Sequence, residues 1–191
     1  MKVGANELKG ILLAYKQVME ASWPSLHPAM AERSRHWLSA SEIELTSELT
    51  GYVNAASVPG CRVRIFWKLL PRFVFGGCNA LFARDAGLRS PAEIVGLDDY
   101  DKRFPWALQA AKYRTDDQAI VNRGAAMLDM VERQGSAAGG TSWVRVGKAP
   151  IRTPEGTIIG IFGMYELLDD ESGGKLFVER IKHQGPTTRP S

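Results

Sequence analysis

Three histidines, two cysteines and several clustered carboxylates are the side chains of this sequence best suited to chemistry. His27, His36 and His183 are scattered, and no two have the short spacing that presents ligands to one metal ion. Surface or cap positions are their expected use. Met127, Met130 and Met164 carry thioethers able to ligate a metal, but methionine in a strand usually packs. Cys78 reads as a small buried residue and Cys61 as part of a linker, and two cysteines make no disulfide framework. Asp98, Asp99, Asp101, Asp116 and Asp117 offer carboxylates for metal or acid–base work. Acids beside turns and helix starts more often accept backbone N–H groups, and that is the role expected here. No Ser-His-Asp or Cys-His arrangement is visible. The glycine-rich stretch at 135–140 leads into no helix, so it reads as a hairpin loop rather than a phosphate cradle. The expectation is a protein without a metal site and without catalysis.

The chain of 191 residues carries 45% hydrophobic and 24% charged residues, enough for one domain with a helical addition. The net charge is +3, from which no nucleic-acid partner is expected. No apolar run is long enough to span a membrane. The first residues lack a signal peptide's apolar stretch because Tyr15, Lys16 and Gln17 interrupt it. A cytoplasmic protein without a membrane partner is expected.

Leu8, Ile11, Leu12, Tyr15, Val18 and Met19 fall at helical spacing, with Asn6 a plausible N-cap. A second helix is expected from about Ala29 to Leu38. A third begins at Ser41, where Ser41 and Glu44 have capping-box spacing. Residues 55–60 read as a linker. Beyond it, 62–69 and 72–75 form a hairpin whose second strand ends at Gly76-Gly77. Asn79 caps a helix to about Ala86, with Gly87 as C-cap, and Ser90-Pro91 opens a shorter one. Residues 106–122 suit a helix that Thr115-Asp116 could split, stopped by Gly124. Three strands follow at 127–134, 141–152 and 157–168, and a last helix spans Lys175 to Lys182. Two strands, helices, then three strands cannot make a βαβ nucleotide fold; an antiparallel sheet with helices on one side is the economical solution.

Several segments in this order resemble a PAS domain of bacterial signal-transduction proteins. They are Ile65-Phe66-Trp67-Lys68, Gly77-Cys78-Asn79 with Phe82-Ala83 and Gly87, and Ser90 to Gly96. The Asp98/Asp101 turn into Trp106, Tyr113 to Asp117, Trp143, Lys148-Ala149-Pro150 and Gly156 to Gly163 complete the set. The resemblance covers about residues 58–169. It implies an α+β fold with a five-stranded antiparallel sheet and helices on one side. A helical extension (1–57) precedes it, and a C-terminal helix with a polar tail (170–191) follows.

The resemblance also implies a small core cavity that holds haem, flavin, a metabolite or nothing. Histidine-ligated haem is disfavoured, because the histidines lie outside 58–169. A cysteinyl-flavin adduct is disfavoured, because Cys78 precedes its Asn instead of following one. A non-covalent flavin or a small metabolite remains open. Strand alternation places Val144, Val146 and Lys148 on one face, and Ile161, Gly163 and Tyr165 on another; by resemblance both sets point inward. Phe66, Phe82, Trp106 and Tyr113 join them as expected cavity residues. An inward Lys148 would need an anionic partner. Gly163 would leave space beside a ligand or permit helix packing. The first helix could cover the sheet's outer face or pair with a second chain; homodimerisation through Leu8, Ile11, Leu12, Tyr15, Val18 and Met19 is the expectation. The functional expectation is a non-enzymatic sensor that binds a small molecule, dimerises, or does both, with a downstream signalling protein as partner. The alternative is a ligand-free interaction adaptor with a filled core.

Overall fold

A computed structural model describes residues 4–26, 30–56 and 61–184, without the side chains of 31 and 181–184. Helix α1 (Ala5–Ser22) is followed by a short α2 (Met30–Arg33), a 3₁₀ turn and α3 (Glu42–Ala55). Strands β1 (Val63–Leu69) and β2 (Val74–Cys78) form a hairpin. Next come α4 (Ala80–Asp85), two 3₁₀ turns and α5 (Ala110–Arg123). Strands β3 (Met127–Gly135), β4 (Thr141–Arg152) and β5 (Ile158–Leu168) lead into α6 (Asp170–Gln184). All pairings are antiparallel, in the order β2-β1-β5-β4-β3.

Local chemistry sets most of these boundaries. The Ser41 hydroxyl accepts from the Glu44 N–H, and the Glu44 carboxylate accepts from the Ser41 N–H, a reciprocal cap that starts α3. Asn79 Oδ1 accepts from the N–H groups of Phe82 and Ile65, so one side chain both caps α4 and pins it to β1. Gly124, at φ 61°, ends α5 in the left-handed conformation that a side chain disfavours.

Several expectations need correcting. The first helix begins one turn's edge earlier, after Gly4, whose N–H donates to Glu7, so Asn6 lies inside it. The second helical stretch is only one α turn and a 3₁₀ turn. Strand β2 runs through Gly76-Gly77 to Cys78, because the Trp67 indole lies flat over both glycines and occupies the space of their missing side chains. Thr115-Asp116 does not split α5, and α6 begins at Asp170, where the Asp169 carboxylate accepts from Ser172. His27 and residues 57–60 of the expected linker lie outside the described residues, as does the His183 side chain.

The sheet is covered on both faces. Helices α4 and α5 take the inner face. The stripe Leu8, Ile11, Leu12, Tyr15, Val18 and Met19 lies buried with Ile65, Ala149, Ile151, Phe162 and Met164 on the outer face. Tyr15 meets Phe162 edge-on at 5.4 Å, and Gly10 and Gly147 let α1 approach β4 closely. This corrects the expectation that these six residues form a dimer surface: the chain's own sheet covers them. Burying such side chains contributes roughly 1.5–3 kcal/mol each, which an isolated helix of this length lacks. Helix α6 rests on β4 where Trp143 meets Phe177 at 5.2 Å and packs over Gly173.

Candidate functional site

On the inner face, strand alternation brings Arg64, Phe66 and Lys68 of β1 to the side that β4 fills with Val144, Val146 and Lys148. Gly163 of β5 lies between Phe66 and Lys148, and Ile161 beside Lys68. A cavity of about 30 Å³ opens there, room for one or two waters. Its wall includes the expected Phe66, Phe82, Trp106, Tyr113, Val146, Lys148 and Tyr165. The rings pack on one another, Phe66 against Phe82 at 5.0 Å and Phe82 against Trp106 at 5.4 Å.

Three expected members are placed differently. Val144 is buried in the same apolar cluster but is not part of the cavity wall. Ile161 belongs to a separate patch with Phe73 and Ile120. Gly163 opens no space for a ligand and packs no helix: the ring of Phe66 lies over it, where a Cβ would overlap the ring. Met164 faces α1 on the other side of the sheet.

The polar end of the cavity is a buried ionic cluster. Lys68 Nζ donates to Asp99 Oδ2 at 2.5 Å and to Asp117 Oδ2 at 2.7 Å, and Lys148 Nζ donates to Asp117 Oδ1 at 2.7 Å. Asp117 is 0% exposed, Lys68 2% and Lys148 3%. Lys148 thus has the anionic partner its inward position demands. Burial pushes the Asp117 carboxyl upward, but the charges and hydrogen bonds of Lys148 and Lys68 outweigh it and hold it at about 2. Burial likewise lowers Lys148, and the Asp117 charge and hydrogen bond raise it above the ordinary lysine range. Glu132 also lines the cavity, bonded to Lys112 at the rim.

A second polar group stands at the other end. Arg64 Nε donates to Asp85 Oδ2 at 2.7 Å, Tyr165 Oη donates to the same oxygen at 3.1 Å, and Gln134 Nε2 donates to Tyr165 Oη at 3.3 Å. Burial, then the Asp85 charge, push the Tyr165 hydroxyl well above its usual range. Gln134 also lines an outer pocket of about 230 Å³ beneath the β3–β4 turn, which Asp85 borders too.

Sequence reasoning missed Lys68, Asp99, Asp117 and Gln134. Lys68 was legible from its phase with Phe66, and Asp117 from its place on the α5 stripe of Ala110, Tyr113 and Ile120. Asp99 had no such signal; only the loop path brings it inward. The capping role does hold for Asp98 and Asp101, which accept from the N–H groups of Tyr100 and Arg103. Burial pushes the Cys78 thiol up to about 12, so it holds its proton. Among the described residues no group of three or more His, Cys, Asp or Glu could hold a metal ion, and no helix is long and apolar enough to cross a membrane.

No protein-family model matches the sequence, and no curated protein matches it. Solved structures do. The complex of phage VqmA with DPO shares 19% identity over 77% of this chain and 62% of that one, at a TM-score of 0.53. A Vibrio cholerae VqmA dimer, described in the absence of its target DNA, shares 21% over 56% and 47%, at 0.50. An RNA-binding light-oxygen-voltage receptor shares 19% over 73% and 39%, at 0.51. The chain therefore has a PAS-like fold, and its match spans about half the length of the VqmA chains. These structures overturn the exclusion of nucleic acid. The same fold occurs in a receptor with a DNA target and in one that binds RNA, and a small net charge cannot speak against such a partner. Total charge does not report how charge is distributed, nor what an adjoining segment binds.

Proposed function

We propose that this chain is a non-catalytic sensory module whose inner cavity takes a small molecule. The observation that carries this reading is the Lys68–Asp99–Asp117–Lys148 cluster at the end of an aromatic cavity. Four charges out of water are poor stabilisers, because desolvation offsets most of their attraction, and apolar replacements of similar volume often serve stability as well or better. Where such a cluster lines a concave aromatic site, recognition is the better account of it. The occurrence of the same fold in a VqmA complexed with DPO supports the reading. Lys148 also lies on the strand that seats α6 through Trp143, so movement at the cavity has a direct mechanical path to that helix.

The limited volume favours a second reading, an interaction adaptor with a filled core. Denaturing the purified protein and weighing what is released by mass spectrometry separates the two. A small molecule approaching one per chain, absent from a folded Lys148→Met variant, supports the sensor. A protein that releases nothing, and whose melting temperature no metabolite raises, supports the adaptor.

A further inference from the structure

This inference rests on the reading that the inner cavity binds a small molecule, and it concerns that molecule's chemistry. The charges at the cavity cancel: two ammonium groups, Lys68 and Lys148, face two carboxylates, Asp99 and Asp117. Glu132 is matched by Lys112 at the rim, and Arg64 by Asp85 at the far end. An incoming carboxylate or ammonium would therefore stand uncompensated among rings, where an unpaired charge is costly.

Hydrogen-bonding capacity, unlike charge, is left over. An ammonium carries three N–H donors. Among the described residues, Lys68 directs two at carboxylates and Lys148 one, which leaves one donor on Lys68 and two on Lys148. Both lysines line the cavity, and buried donors are rarely left unpaired. The rest of the wall supplies aromatic surface in the rings of Phe66, Phe75, Phe82, Trp106 and Tyr113.

We propose that the cavity selects an uncharged, flat molecule bearing hydrogen-bond acceptors, a carbonyl oxygen or a ring nitrogen. Its acceptor edge sits on Lys68 and Lys148, and its faces lie against the rings. The molecule exceeds the present volume of about 30 Å³, so its entry requires ring side chains of the wall to move. Gln134, common to this cavity and to the outer pocket, is the nearest wall to open.

The test uses three nearly isosteric probes, benzamide (neutral), benzoate (anionic) and benzamidine (cationic), in thermal melts of the whole chain at pH 7. Mass spectrometry of any molecule released from the purified protein accompanies them. Benzamide alone should raise the melting temperature, by about 3–6 °C at ten times its dissociation constant. Any released molecule should be uncharged at pH 7. A larger shift with benzoate or benzamidine, or a released molecule that is charged, overturns the proposal and leaves the sensory reading standing. Nothing released and no shift with any of the three overturns both.

Discussion

One sheet serves two faces of opposite character. On the outer face α1 lays Ile11, Leu12 and Tyr15 over Ile65, Phe162 and Met164, and α3 packs against α1 with Leu45 and Tyr52, with no buried charge among the described residues. The inner face holds the buried charged residues, Arg64, Lys68, Asp99, Asp117 and Lys148, alongside the cavity. The difference teaches where stability and specificity reside. Apolar contacts tolerate any neighbour of suitable shape, and they fill the outer face. Paired charges need each partner in place, and on the proposed reading they make the inner face the one that discriminates.

The largest effects should come from single substitutions that strike both faces equally. Phe162→Ala empties ring volume on the outer face and should cost about 3–5 kcal/mol in chemical denaturation. Asp117→Leu strands Lys148 on the inner face and should cost about as much, again 3–5 kcal/mol. The faces part company when the whole cluster is removed. Lys68→Met, Asp99→Leu, Asp117→Leu and Lys148→Met together should restore stability to the parent value or raise it by about 1–4 kcal/mol, with the proposed small-molecule binding lost. If that variant is as unstable as Asp117→Leu alone, the cluster is structural and the contrast between the faces fails.

Acid should reach the inner face first. The Asp117 carboxyl titrates at about 2 in the folded chain against an ordinary 3.8. Its stabilisation is therefore full above the ordinary value and is lost as pH falls through about 2. The loss amounts to about 2 kcal/mol between roughly pH 5 and pH 1, read by urea denaturation across that range. An Asp117→Asn chain should lack this part of the slope, whereas Phe162→Ala should keep it.

A smaller effect tests how α3 is held on the outer face. Ser41→Ala removes the hydroxyl that caps the helix and should cost about 1 kcal/mol, seen as a lower denaturation midpoint with unchanged slope. Smallest of all, Glu20→Ala breaks only the partly exposed pair with Lys16, 3.3 Å apart on α1. It should change stability by about 0.2–0.5 kcal/mol, less in high salt.

The sequence by itself determined what short-range chemistry controls. The cap residues Ser41 and Asn79, the stop at Gly124, the strand limits at Thr141–Arg152 and the stripe of α1 all follow from spacing and residue type. The inward phase of Val146, Lys148 and Tyr165 was legible too, since alternation along a strand needs no knowledge of its neighbours. What covers an apolar stripe was not legible, because α1 packs chiefly on β4 and β5, more than a hundred residues away, and a second chain would satisfy the same pattern. Nor was it legible that Gly163 makes room for Phe66, or that Lys68, Asp99, Asp117 and Lys148 converge. The ionic contacts span separations of 31 to 49 residues and the glycine–ring contact a longer one, and only the packed tertiary structure, in which each buried charge must find its counter-charge and each ring its space, decides them.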